Sequence, residues 1–150
     1  TLQQGHSESM KDGLDISLIL VDKDKQEISF SGAAHKALFF SETEGCPEPK
    51  LLSGDKHSLG GTREEISPEL VTISYQTGDK LYLMTDGILD QPVGQNENLK
   101  RRIFRDWLEH FETYAKEEFD RQLAAWESYL QEVLELSEQR DDIALLGLRL

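Results

Sequence analysis

The stretch LYLMTDGILD (81–90) places four apolar or aromatic residues, Leu81 to Met84, directly before Thr85, Asp86 and Gly87, and adds a second acid at Asp90. A carboxylate at the end of a buried strand is costly to desolvate unless water, hydrogen bonds or a cation meets it. A further acid pair, Asp141-Asp142, stands directly before another apolar run, IALLGLRL (143–150). If the two runs pair as antiparallel strands, the C-terminal end of one lies beside the N-terminal end of the other. Asp86 and Asp141 then meet at one sheet edge. Hard divalent cations such as Mg²⁺ or Mn²⁺ take oxygen donors of this kind, with waters in the remaining positions. Gly87 is expected to keep side chains clear of such an ion. Asp-Gly is also a common turn dipeptide, so spacing alone leaves an ordinary turn open.

Other candidate groups are weaker. Asp22, Asp24 and Glu27 imitate the opening of a calcium loop, but Glu27 stands where that loop needs glycine and Ala33 where it needs glutamate, which excludes it. His35 follows a run of small residues and His57 precedes a glycine pair; either is placed to line a phosphate site, and either also suits a hydrogen-bonded loop. Cys46 lies in a polar loop without a neighbouring histidine, which argues against a nucleophile.

The elements that must hold these groups follow from periodicity. DISLILVD (15–22) is rich in Ile, Leu and Val and predicts a largely buried strand, with DKDKQE (22–27) as a polar turn into a second strand at 27–31. ALFF (37–40) predicts a third, and the spacing suggests an antiparallel meander. Residues 51–65 read as mostly irregular, with glycines at 54, 60 and 61. LVTISYQ (70–76) sets Val71, Ile73 and Tyr75 against Thr72, Ser74 and Gln76, the period of a half-buried strand. Gly78-Asp79 then predicts a hairpin over 70–86. Leu99, Ile103, Trp107 and Phe111 recur every four residues and predict a helix. Phe119, Leu123, Trp126, Leu130 and Val133 predict a second, from about 117 to 136. These aromatic stripes read as core rather than as a cofactor box. Strands, then helices, then a returning strand imply an α+β layered fold.

Length and composition bound the rest. The chain has 150 residues, one domain by length and enough for a sizeable core. Its formal net charge of −13 argues against nucleic acid and anionic membrane surfaces, both of which need basic footprints. Cys46 is the single cysteine, so no disulfide or cysteine-based zinc site forms within the chain, and a reducing cytoplasmic setting is expected. No run approaches the roughly 18 apolar residues of a membrane helix. The opening TLQQGHSESMKDG resembles no signal peptide, begins without methionine, and reaches a strand almost at once, so the chain is expected to be part of a longer one.

TDGILD (85–90) and the closing RDDIALLGLRL (140–150) together resemble the last two motifs of the PPM family, the metal-dependent protein serine/threonine phosphatases related to phosphatase 2C. The bacterial sporulation and sigma-regulator branch is the nearest in pattern. MKDGLDISLILVDKDKQEISFSGAAHKALFF (10–40) is similar to that branch's central strands, GDKHSLGG (54–61) to the loop before its final hairpin, and YQTGDKLYLMTDGILDQ (75–91) to its penultimate motif. The resemblance implies an α-β-β-α sandwich of two antiparallel sheets flanked by helices. It also implies hydrolysis of phosphoserine or phosphothreonine by water activated at two or more Mn²⁺ or Mg²⁺ ions. By position, Asp86 and Asp141 match metal ligands, and Asp90 an acid acting through a metal-bound water. Gly87 stands behind the ligands, and Asp142 either stands behind them or meets solvent at the strand end.

The family's earlier acidic motifs, a Gly-Asp and an Asp-Gly followed by a helix, have no match. Asp12-Gly13 directly precedes a strand of the family's middle and reads as a turn. The remaining ligands are therefore expected before Thr1, making residues 1–150 the C-terminal portion of one phosphatase domain, inactive alone. The branch implies as substrate a phosphorylated regulatory protein, of anti-sigma-antagonist type. It further implies a sensory or inner-membrane region upstream of a cytoplasmic domain, and a homodimer as one assembly. The competing reading is a catalytically silent PPM-like module that binds a regulatory partner; paired acids at one edge favour the enzyme.

Overall fold

The structure, a computed structural model, describes residues 13–41, 49–60, 69–91, 109, 113 and 117–150. In chain order its elements are β1 (Ile16–Asp22), β2 (Glu27–Ala33), β3 (Lys36–Phe40), β4 (Lys50–Ser53), β5 (Val71–Ser74), β6 (Lys80–Met84), α1 (Asp86–Asp90), α2 (Phe119–Leu136) and β7 (Leu145–Arg149). The class is α+β with two antiparallel sheets, ordered β1-β2-β5 and β4-β3-β6-β7. The chain divides into two compact units, residues 1–37 with 51–75 and residues 38–50 with 76–150. The predicted helix through Trp107 lies outside the described residues.

The first unit holds the three-stranded sheet. β1 and β2 pair antiparallel from Ile16↔Ala33 to Asp22↔Glu27, and β5 joins the other side of β2, with Ile28 opposite Ile73. The period-two pattern sorts the faces as its chemistry requires. Ile28, Phe30 and Ile73 are buried. On the opposite face, Ser29 and Thr72 share a hydroxyl hydrogen bond of 3.1 Å. β1 corrects the expectation of a largely buried strand: Leu18 and Leu20 are 64% and 67% exposed. β1 is an edge strand, and the register sets these leucines across from Ser31 and Ser29, on the polar face. Apolar composition announced a strand there without saying whether both of its faces would be covered.

The expected meander also ends early, because β3 belongs to the other sheet. Between the two strands Ala34 adopts a positive φ of 56°, which breaks the extended run. The same place is held by a close crossing. Asp55 N–H donates to the Gly32 carbonyl and Ala34 N–H to the Asp55 carbonyl, both at 2.7 Å. A Cβ on Gly54 would stand 2.1 Å from the Gly32 oxygen, so only glycine permits the crossing. Just before it, residues 50–53 form a strand in a segment expected to be mostly irregular.

The second unit carries the aromatic core. Leu38, Phe40, Tyr82, Met84, Ile88 and Trp126 are buried together, with Phe119, Leu130 and Leu145 packed against them. The Tyr82 ring stacks on Trp126 at 5.2 Å and on Phe119 at 6.1 Å, and meets Phe40 edge-on at 5.6 Å. Its hydroxyl donates to the side-chain carbonyl of Gln122, a buried polar residue within the predicted apolar stripe. The helix α2 follows the predicted range within two residues at its start. A Cβ on Gly147, which faces Tyr82 in the strand register, would lie 2.5 Å from the Phe119 ring.

β6 and β7 pair antiparallel from Lys80↔Arg149 to Met84↔Leu145, as the two apolar runs predict. The hairpin expected over 70–86 does not form, since β5 pairs with β2. The turn residues are engaged elsewhere: Gly78 N–H donates to the Leu150 carbonyl and Leu150 N–H to the Asp79 carbonyl, each at 2.9 Å. The buried Asp79 carboxylate accepts from the Gln76 N–H at 2.8 Å.

Candidate functional site

The end of β6 and the start of β7 bring the two acidic segments together. Thr85 continues the ladder by one bond, its N–H donating to the Ala144 carbonyl at 3.1 Å. Its hydroxyl then bridges the opposite segment, donating to the Asp142 carbonyl and accepting from the Ala144 N–H, both at 2.9 Å. Asp86 begins the short helix α1 rather than a turn, and Asp90 ends it, so the two acids lie four residues apart on one helical face. Asp86, Asp90, Asp141 and Asp142 are all exposed. The Oδ1 of Asp141 accepts from the Asp142 N–H at 2.7 Å.

Gly87 has a steric role that the sequence did not show. A Cβ there would stand 2.3 Å from the Asp142 carbonyl oxygen and 3.3 Å from the Asp141 carbonyl carbon. The glycine therefore lets the backbone after Asp86 touch the backbone of the acid pair. It serves the approach of two chain segments.

Sequence reasoning missed Thr85 and Gln91 as parts of this construction. Gln91, directly after α1, is 1% exposed. Its Nε2 donates to the Ser137 hydroxyl and to the Glu138 carbonyl, each at 3.1 Å, and its Oε1 accepts from the Arg140 N–H at 3.4 Å. A glutamine in the polar run QPVGQNEN carries no sign that it will be buried. Its place directly after an acid-bearing motif was the one available signal.

The remaining candidates are elsewhere. Asp22 Oδ1 accepts from the N–H groups of Asp24 and Lys25 at 3.1 and 3.0 Å, and Oδ2 pairs with Lys25 Nζ at 3.1 Å. The Lys25 N–H, then its ammonium, hold this carboxyl below its ordinary value of 3.8. It is a turn device. His57 turns back on Asp55, its backbone N–H donating at 2.8 Å and its Nδ1 lying 3.0 Å from the same Oδ1. That backbone bond is the main cause lowering the Asp55 pKa. His35 Nδ1 lies 3.4 Å from the Ser17 hydroxyl. Asp12 and Cys46 fall outside the described residues.

Two exposed carboxylates on abutting backbone segments have the donor chemistry of a hard-cation site and fit part of one. Among the described residues, no group of three or more His, Cys, Asp or Glu side chains is placed to hold an ion. No helix among them is long and apolar enough to cross a membrane.

Residues 2–150 match the model of the family Stage II sporulation protein E (SpoIIE). The chain belongs to the SpoIIE family. No curated protein matches its sequence. Among solved structures, the SiaA-PP2C domain of Pseudomonas aeruginosa is 27% identical with a TM-score of 0.74, covering 91% of this chain and 51% of that one. The Mn-presoaked SpoIIE phosphatase domain of Bacillus subtilis is 18% identical with a TM-score of 0.58, covering 90% and 56%. The serine/threonine phosphatase PstP/Ppp of Mycobacterium tuberculosis is 12% identical with a TM-score of 0.56, covering 90% and 59%. This SpoIIE-family chain thus has the PP2C phosphatase fold and spans about half the length of the structures it matches.

Proposed function

We propose that this chain contributes the late half of the active site of a metal-dependent protein serine/threonine phosphatase. The observation that carries the reading is the junction of Thr85–Gly87 with Asp141–Ala144, which brings the backbone beside Asp86 against the backbone of the acid pair on a SpoIIE-family framework. Asp86 and Asp141 would hold Mn²⁺ or Mg²⁺ directly, and Asp90 would hold an ion's water. Manganese soaking of the B. subtilis SpoIIE phosphatase domain supports this choice of ions. When bound, the ions supply an activated water and neutralise charge on the phosphoryl oxygens. The chain's own part would be to hold two carboxylate-bearing segments against one another, so that little reorganisation is needed when the ion binds. The remaining ligands would come from outside residues 1–150, and the substrate would be a phosphorylated regulatory protein.

The test uses the complete gene product that contains these residues, with p-nitrophenyl phosphate and added Mn²⁺ or Mg²⁺. Asp86→Asn and Asp141→Asn should each remove metal-dependent hydrolysis while leaving the circular dichroism spectrum unchanged. Normal turnover in either variant at saturating metal would reject the ligand assignment. An unmodified protein that binds metal but never hydrolyses a phosphoester would favour the silent partner-binding module.

A further inference from the structure

We infer that Gln91 is a positioning residue that fixes Asp141 against Asp86, so that one cation meets both carboxylates. This rests on the metal reading of those two aspartates. Burying a primary amide is costly, and the chain tolerates it only because its polar atoms are paired. The three bonds described above all end on one short connection, Ser137 to Arg140, between α2 and Asp141. That connection has no regular structure of its own to fix its path. Gln91 is also the C-cap of α1, the helix that Asp86 begins. One buried side chain therefore ties the far end of the first acidic segment to the approach of the second. Thr85 and Gly87 fasten the same two segments at the strand end. With only the strand-end fastening, residues 138–141 could swing about Asp142. With Gln91 in place they are held on both sides, and Ser137 is itself anchored by donating to the Val133 carbonyl at 3.1 Å.

The experiment follows paramagnetic broadening of backbone amide signals as Mn²⁺ is added to the complete gene product that contains these residues, labelled with ¹⁵N. It reports binding at the junction and needs no turnover. In the unaltered protein, the signals of Asp86–Gly87 and of Asp141–Asp142 should broaden together, because one ion lies near both. Gln91→Met keeps the apolar bulk and removes the three bonds. It should raise the Mn²⁺ concentration for half-broadening about tenfold, the scale on which outlying partners of a ligand act, and should have no such effect once Asp141→Asn has removed the ligand it positions. Ser137→Ala, which removes one of the bonds, should shift that concentration in the same direction by less, and decides the matter if Gln91→Met does not fold. Val133→Ala, a core truncation nearby, should lower the melting temperature without shifting that concentration. An unshifted concentration in folded Gln91→Met, an equal shift with and without Asp141→Asn, or an unshifted one in Ser137→Ala where Gln91→Met is unfolded, would overturn the positioning role and leave the metal reading standing. If Asp86→Asn and Asp141→Asn leave the broadening unchanged, or the unaltered protein shows none at either segment, the metal reading falls and this inference with it.

Discussion

Acids gather at strand ends in two places, and the backbone treats them differently. At the β1–β2 turn the Asp22 carboxylate is occupied by two N–H groups and an ammonium, all from residues within three positions of it. At the β6–β7 end, the contacts joining the acidic segments run instead through the Thr85 hydroxyl, the Gly87 backbone and the Gln91 amide. Among the described residues, the Asp86 carboxylate makes no hydrogen bond or ion pair. One cluster uses its charges to fold the chain; the other joins its segments through neutral groups and leaves the Asp86 charge for something else. An acid's neighbours in sequence do not separate these cases, but the bonding of the surrounding backbone does.

The contrast is broken or sharpened most strongly by exchanging charge for neutrality in each cluster. Asp86→Asn should lower metal-dependent phosphatase activity of the complete gene product by about a hundredfold or more, with the melting temperature held or raised as repulsion among exposed acids eases. Asp22→Asn should leave kcat unchanged. Equal losses of activity in the two variants would erase the distinction.

Gly87→Ala comes next, because its methyl would overlap the Asp142 carbonyl. Overpacking of this kind costs about 1–3 kcal/mol, readable by denaturant melts, and metal affinity should fall alongside as the segments are pushed apart. A smaller effect is expected of Thr85→Val, which keeps the shape but removes two hydroxyl bonds. A loss of about 0.5–1.5 kcal/mol in the same melts would match the net worth of a hydrogen bond where water can reach the freed groups. The smallest change is in acid. Asp22 has a lowered folded pKa, so its contribution to the turn is complete above the ordinary carboxylate value and fades as pH falls through the depressed one. NMR titration of the Asp24 and Lys25 amides should therefore give a midpoint below 3.8, whereas a midpoint at or above 3.8 would remove Asp22 as the turn's anchor.

Much of this was legible because periodicity reports faces. The stripe through Phe119, Trp126 and Val133 announced α2, and the apolar runs at 81–84 and 143–150 announced β6 and β7 with acids at adjoining ends. Periodicity says nothing of which strand lies alongside. Val71, Ile73 and Tyr75 gave the correct inward face for β5 and the wrong partner, since pairing depends on where Ala34 and Gly78 turn the chain. Leu18 and Leu20 misled for a related reason: an apolar residue shows what could be buried, and only its neighbours show whether it is. Gln91 and Gln122 stayed hidden because an amide is equally at home in water and in a fully paired interior.

The bonds between the Gly78–Asp79 turn and Leu150 give β7 a second end-stop, opposite the Thr85 clasp. A strand stopped at both ends cannot slide, and a slide of one residue would turn every side chain of β7 to the wrong face. Leu150 thereby acts as a ruler for the acid pair beyond the strand's far end: a change in how it meets the turn would be felt, through the spacing of five ladder positions, at the Thr85 clasp that adjoins Asp142.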